Sequence, residues 1–390
     1  MSNNYNEIVL AAPVTFGYER YSEHSVTWFT GNTLARMLRI SGLDKSEIDG
    51  LAVASFSLAP DTHASLAEYL GLELRLLEAL PFGGASGVIA ARRAARAVQA
   101  GDANVVACIG ADTATPTSFN VLVANFSTAT MDASYPYAAA GPNLPFAILT
   151  AAYMEKYGAN REDFGRICVA QRYNANHCEY ALLGHKPLTM DDYIAARVVA
   201  EPLHLFDCVM PCAGADGFLV MREAQARELR LPYVYLSSAF ESFNAFSDDP
   251  VQLRSGWSKY SATLYEQSNL KPTELDLIET YDDYPVVVMM QFEGMQLCGE
   301  GQATRYLKDN DLRFDSDGPA HNTSGGQLSV GQAGAAGGFL GIVEALRQLT
   351  NGAGANQVKF PKNALVTGFG MINYDRGLCS SAAILSAGDV

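Results

Sequence analysis

Gly83-Gly84-Ala85-Ser86-Gly87 opens the run Val88-Ile-Ala-Ala-Arg-Arg-Ala-Ala-Arg-Ala-Val98, Gly101 closes it, and Asn104-Val-Val-Ala-Cys-Ile-Gly-Ala-Asp112 follows. Alanine and arginine favour helix, glycine ends it, and the β-branched run that follows favours a buried strand. Side chains this small suit a helix wedged between two layers. The same grammar returns near the C-terminus. Gly325 to Gly338 opens Phe339-Leu-Gly-Ile-Val-Glu-Ala-Leu-Arg-Gln-Leu349, and Ala364-Leu-Val-Thr-Gly-Phe-Gly370 follows as a strand. Two glycine-opened helices, each leading into a buried strand, predict a duplicated α/β unit with helices buried between sheets.

Outward from these units, apolar runs predict strands over 8–14 and 51–56 and helices over 24–40 and 63–70. In the second half, 275–281 reads as a strand, 286–297 as a helix and 380–385 as a last strand. Gly368 to Cys379 reads as a loop between two strands. The stretch 206–220 reads as a tight turn delivering the last strand of the first half. Thr113 to about Pro211 is too long for a plain connection and carries helical patterns over 146–157 and 162–176. It is read as an inserted loop domain. The resulting organisation is an N-terminal half over 1–230, with the insertion at about 113–211, and a C-terminal half over 231–390.

Composition narrows the functional class. The 390 residues carry 27 basic and 42 acidic side chains, a net charge of −15, and no run of Lys or Arg. Such a surface repels phosphate backbones, which excludes nucleic acid as the expected partner while suiting a basic protein. No stretch approaches the roughly 18 apolar residues of a membrane span, and no basic region precedes the first apolar run, so a cytoplasmic protein is expected. Seven scattered cysteines fit free thiols. Cys208 and Cys212 resemble half of a metal site, but no second pair follows, and no metal is expected.

Four segments can carry chemistry. At Gly83–Gly87, the N–H groups of a helix start can hold an anion or oxyanion, and close helix packing explains the same glycines. Ser86 has no base beside it. Glu279-Thr-Tyr-Asp-Asp-Tyr-Pro285 places two phenols and three carboxylates at a strand-to-helix junction, which suits polarising a carbonyl or moving a proton, or simply capping a helix. His321-Asn-Thr-Ser-Gly-Gly-Gln-Leu-Ser-Val-Gly-Gln332 brings main chain close to a ligand or a neighbour. Cys379 is a lone thiol, most simply a packed one. His177, His185 and His204 lack metal-ligand spacing and read as structural or surface residues. Neither a GxGxxG nor a GxxxxGK[ST] pattern is present, so nucleotide phosphates are not expected.

Taken in order, Gly83–Gly87, the stretch from Asp207-Cys208 to Asp216-Gly217, Tyr281-Asp282-Asp283-Tyr284 and Asn322-Thr-Ser-Gly-Gly with Glu344-Ala-Leu-Arg-Gln-Leu349 resemble the thiolase superfamily, especially its sterol-carrier-protein-type branch. The resemblance spans nearly the whole chain. It implies a thiolase fold, five-layered α-β-α-β-α, from two βαβαβαββ halves with a loop domain inserted in the first. Three departures shape the functional expectation. Gly84 stands where a thiolase carries its nucleophilic cysteine. Gly331-Gln332-Ala333 replaces the Gly-His-Pro that activates it. Tyr281-Asp-Asp-Tyr284 replaces the motif shaping the oxyanion hole.

A glycine carries no acyl group, so covalent acyl transfer is not expected. The profile resembles thiolase-like aldolases that remove steroid side chains, which lack the cysteine and use tyrosine where Tyr281 sits. The resemblance implies retro-aldol cleavage of a β-hydroxyacyl-CoA, or the reverse condensation. Catalytic roles then fall to Tyr281, Asp282, Gln332 and Cys379, and contacts to the thioester to Gly84, Ser86, Asn322, Gly325 and Gly370. It also implies coenzyme A only as part of the substrate, no covalently bound cofactor, and a homodimer through the first-half sheet. A zinc-ribbon/OB-fold partner, with zinc only in that subunit, would make a heterotetramer. Gln332 stands where such aldolases often have a second tyrosine, which weighs against a steroid substrate. The alternatives are an acyltransferase with Cys379 as a relocated nucleophile, and a non-catalytic subunit that binds CoA esters.

Overall fold

Alternation along each strand decides which layer a residue joins. In a strand over Ile8–Glu19, Ile8 and Leu10 point into one core, and Val9 and Ala11 into another. The computed structural model describes residues 5–125, 127–128, 131–137 and 139–388. Its strands are β1 (Ile8–Glu19), β2 (Gly50–Ala54), β3 (Leu76–Ala79), β4 (Val106–Asp112), β5 (Val198–Ala200), β6 (Leu203–His204), β7 (Ala213–Arg222), β8 (Tyr233–Phe243), β9 (Leu277–Glu279), β10 (Ala320–His321), β11 (Asn363–Asn373) and β12 (Arg376–Ala387). Apart from the β5–β6 pair, they form one sheet in the order β10-β9-β11-β12-β8-β1-β7-β4-β2-β3.

That order contains the duplication. Outward from the centre, β1-β7-β4-β2-β3 and β8-β12-β11-β9-β10 run antiparallel, antiparallel, parallel, parallel in both directions. The halves join where Val9, Leu10 and Ala11 of β1 pair with Tyr235, Val234 and Tyr233 of β8. Pairing therefore runs on from one half-sheet into the other.

The two glycine-opened helices are Ser86–Ala100 and Gly337–Leu349. Both lie between the half-sheets, with Ala90, Ala94, Ile342 and Val343 in one core beside Val106, Val234, Ala364 and Leu385. Their crossing explains Gly87: a Cβ there would strike the Gly338 carbonyl oxygen and lie 2.9 Å from Phe339 Cα. On the outer face of the first half, the helix Val26–Ser41 buries Phe29, Leu34 and Met37 against Ala107 and Ile109. On the outer face of the second, Trp257 of the helix Gly256–Ser268 and Val287 and Met290 of the helix Pro285–Gly294 cover Leu365, Ala382 and Ile384. Helix, sheet, paired helices, sheet, helix gives the five-layered α/β architecture.

Between β4 and β7 the described residues form α-helices Asn143–Tyr157 and Arg161–Ala175, three shorter α-helices and the β5–β6 hairpin. The second long helix begins at a capping box, with the Asn160 side chain accepting from Glu162 and Asp163 N–H. One expectation is corrected. Gly368 to Cys379 is not a loop: β11 and β12 pair as far as Asn373 with Arg376, and Gly370 lies opposite Cys379. The glycines there serve close packing, since a Cβ at Gly377 would overlap the Phe369 ring. Among the described residues, no helix is long and apolar enough to cross a membrane and no cluster of three His, Cys, Asp or Glu side chains is arranged for a metal.

Candidate active site

The second half supplies a clamped turn. After β9, Thr280 N–H donates to Asn322 Oδ1 at 2.7 Å, and Asn322 Nδ2 donates to the Thr280 carbonyl at 3.1 Å. One residue on, Tyr281 N–H donates to Gln291 Oε1 at 3.2 Å, while Gln291 Nε2 donates to the Tyr281 carbonyl at 2.7 Å. Thr367 fixes that amide by donating to its Oε1 at 2.5 Å. Two side-chain amides thus replace the strand partners that the turn has lost, and they fix where the Tyr281 side chain goes.

It goes over Gly84. A Cβ built on Gly84 would fall within the Tyr281 ring and against the Phe369 carbonyl oxygen. The phenol therefore occupies the space into which any side chain at position 84 would project. Gln332 Nε2 donates to the Tyr281 oxygen at 3.1 Å. Gln332 is itself held by the loop before β7: its N–H donates to the Met210 carbonyl and its own carbonyl accepts from Cys212 N–H. Burial, then the charges of Asp283 and Asp282, push the Tyr281 phenol well above its ordinary pKa, against the donation from Gln332. Tyr281 is a neutral hydroxyl.

Gly370 and Cys379 close the other side. A Cβ at Gly370 would strike the Phe82 carbonyl and come 3.0 Å from Gly84 N. The Cys379 thiol lies 3.3 Å from the Gly370 carbonyl and 3.4 Å from that of Phe82. Burial pushes it up to about 12, so it is a protonated donor and a poor nucleophile. Gly84, Tyr281, Gln332 and Gly370 meet at this helix start, with Cys379 against the Phe82 and Gly370 carbonyls. Beside the helix start, Phe56 and Met371 stand exposed with their Cζ and Sδ atoms each 3.5 Å from where a Gly83 Cβ would lie, and Phe82 packs on exposed Phe243 at 5.1 Å. The rim of the site is apolar.

Four expected site residues have other tasks. Asp282 turns away from Tyr281: its carboxylate accepts from Gln327 N–H at 2.9 Å and Leu328 N–H at 3.2 Å, capping the short helix Gly326–Val330. Burial raises it to about 6. Ser86 donates to the Leu80 carbonyl at 3.1 Å, Asn322 forms the clamp above, and Gly325 packs against Ala175 and the Gln171 carbonyl. The carboxyl that faces the Tyr281 hydroxyl belongs to Asp283. The sequence shows that acid in the same cluster but not which of two adjacent aspartates turns inward. Tyr284 points out to the insertion, stacked on Phe146 at 3.9 Å and donating to Asn143 Oδ1 at 2.5 Å. His177 and His204 each place Nδ1 against a backbone carbonyl, of Tyr173 and Ala196.

Known proteins resemble this chain over most of its length. A family model described as thiolase C-terminal domain-like covers residues 239–385. A steroid side-chain-cleaving aldolase of Thermomonospora curvata is 30% identical over 344 residues, 84% of this chain and 86% of the aldolase. A 17-hydroxy-3-oxo-4-pregnene-20-carboxyl-CoA lyase of Mycobacterium tuberculosis is 30% identical over 345 residues, 84% of this chain and 87% of that protein. Among solved structures, an Ltp2-ChsH2(DUF35) aldolase superposes with a TM-score of 0.81 at 26% identity, covering 98% of both chains. With its duplicated fold, its glycine at the helix start and these relatives, the chain belongs to the thiolase superfamily and, within it, to the thiolase-like aldolases.

Proposed function

We propose that this lyase breaks the Cα–Cβ bond of a β-hydroxyacyl-CoA, or forms it in reverse, with no acyl group ever attached to the protein. The observation that carries this reading is the Tyr281 phenol lying in the space above Gly84. In cleavage, the β-hydroxyl loses its proton as its carbon becomes a carbonyl. The electrons of the broken bond pass into the thioester as an enolate, and the α carbon then takes a proton. Tyr281 sits where it meets the hydroxyl. Gln332 holds the phenol, and backbone N–H groups near Gly84 and Gly370 stabilise the enolate oxygen. The Cys379 thiol, protonated through neutral pH, delivers the proton to carbon.

The acyltransferase reading fares worse on the same geometry. A thiol raised to about 12 and directed at two carbonyl oxygens is not the thiolate that acyl transfer needs. The apolar rim of Phe56, Phe243 and Met371 suits a hydrophobic carbonyl product. Coenzyme A enters only with the substrate, and no cofactor bound to the protein is required.

Two partners complete the proposal. The first is a second copy, joined through the first-half sheet, where β3 is the terminal strand and Leu77 is exposed. The second is a zinc-ribbon/OB-fold subunit giving a heterotetramer, its zinc lying outside this chain; the two-protein name of the similar Ltp2-ChsH2(DUF35) aldolase and the net charge of −15 support it. All seven cysteines are free, which suits the cytoplasm.

The test incubates the protein, alone and with such a subunit, with a panel of β-hydroxyacyl-CoA thioesters, and follows the products and the intact protein by mass spectrometry. The expected result is a shortened acyl-CoA plus a ketone or aldehyde, with protein mass unchanged. An acyl adduct on the protein during turnover overturns the reading.

A further inference from the structure

Asp283 is a buried acid that the fold holds only through the backbone N–H groups of its own turn, those of Asp283 and Tyr284. It is 7% exposed, and its Oδ1 finds no hydrogen-bond partner among the described residues. Neighbouring buried carboxylates are bound: Asp282 by two backbone N–H groups, Glu279 by the N–H and hydroxyl of Thr323. Leaving a buried carboxylate oxygen unpaired is unfavourable, so a fold built for stability alone has no use for one.

Counting bonds on the phenol shows what the acid is placed to do. A tyrosine hydroxyl donates once and accepts at its remaining lone pairs. Gln332 Nε2 takes up one acceptor position on the Tyr281 oxygen at 3.1 Å. The Asp283 carboxyl lies beside the same hydroxyl, placed to take up its proton. The phenol then keeps a lone pair for a substrate hydroxyl.

We propose that Asp283 is the terminal acceptor of the substrate's β-hydroxyl proton, working through Tyr281. The hydroxyl proton moves to the phenol oxygen while the phenol proton moves to Asp283. The O–H electrons become the second bond of the new carbonyl, and the Cα–Cβ pair becomes the enolate. Tyr281 is neutral before and after, and the carboxylate ends as a carboxylic acid that must lose its proton before the next turnover. Asp283 is thus a positioning and proton-accepting residue, one atom removed from the substrate. This rests on the lyase reading above.

The groups that face Asp283 are Tyr281, Asp282 and Tyr284 of its own turn and Cys208 of the loop before β7, each neutral or acidic. Burial, then the charge of Asp282, pushes its pKa well above the ordinary value. Only the ionised form accepts a proton. Turnover of the wild type therefore rises with pH through that elevated pKa and levels off above it.

The experiment measures kcat and KM against pH for wild type, Asp283→Asn and Asp283→Glu with a cleavable β-hydroxyacyl-CoA, alongside thermal melting. In D283N, kcat should fall by roughly 10²-fold or more and the acidic limb should disappear, with KM nearly unchanged. D283E should restore a limb. A D283N enzyme that keeps its turnover, or its limb, overturns the proposal while leaving the lyase reading intact. A wild type that cleaves no such thioester overturns both. Should D283N fail to fold, D283E decides: a displaced limb supports the proposal, and an unmoved one overturns it.

Discussion

The turn after β2 and the turn after β9 occupy the same place in the two halves, and they are put to different uses. After β2, Ser55 Oγ, Phe56 N–H and Ser57 N–H and Oγ all donate to Asp112 at the end of β4, and Ala335 N–H reaches it from the second half. That carboxylate is saturated with donors and ties the halves together. After β9, the backbone is held instead by the amides of Gln291 and Asn322. Asp282 and Tyr284 of that turn cap a helix and pack on the insertion, while Tyr281 and Asp283 are left free of such work. The two halves carry equivalent turns; one secures the frame, and the other holds the proposed catalytic phenol.

The contrast breaks first at Tyr281. Tyr281→Phe keeps the ring over Gly84 but removes the hydroxyl, and kcat should fall by roughly 10²- to 10⁴-fold with the melting temperature little changed. Steady-state kinetics on a cleavable thioester checks this, and an unaffected rate removes the phenol from the mechanism. Asp112→Ala should behave in the opposite way. It strands the buried N–H of Ala335 and the half-buried N–H groups of Phe56 and Ser57, at a cost of about 3 kcal/mol. Denaturant unfolding reads that loss, while kcat of the folded fraction should stay near wild type. If D112A instead abolished turnover at unchanged stability, the division of labour between the turns would be wrong.

Much of this frame is legible in the residues themselves. Gly83–Gly87 before an alanine-rich run, repeated at Gly337–Leu349, suffices for two buried crossing helices, because only small side chains allow such close approach. The β11–β12 hairpin is harder to see: Gly368, Gly370 and Gly377 resemble loop residues, but Gly377 makes room for the Phe369 ring, and Gly368 and Gly370 let the backbone of Phe82–Ala85 approach. Of the candidate residues picked from motif position, Tyr281, Gln332, Gly370 and Cys379 lie around the Gly83–Ala85 helix start. The choice between Asp282 and Asp283 cannot be made that way. It depends on where the N–H groups of Gln327 and Leu328 lie, 45 and 46 residues further along the chain, and these capture the first of the two acids. Ser86 and Asn322 mislead for the same reason, since a polar side chain at a glycine-rich turn serves backbone carbonyls as readily as a ligand.

The helix starts sharpen the comparison at smaller scale. Gly84→Ala must push against the Tyr281 ring and the Phe369 carbonyl, an overpacking that should cost about 1–3 kcal/mol and displace the phenol. Both stability and kcat should drop, and a variant with wild-type kinetics would show that the ring does not depend on that glycine. Ser86, two residues along, tests the other side of the same helix start. Its hydroxyl donates to the Leu80 carbonyl at 3.1 Å and is buried in the core between the sheets, away from Tyr281. Ser86→Ala should cost about 1 kcal/mol, the usual net worth of one such bond, and leave kcat and KM as they are. A kinetic defect in S86A at full stability would move the reacting centre along the helix, and with it the assignment of Gly84 as the floor beneath the phenol.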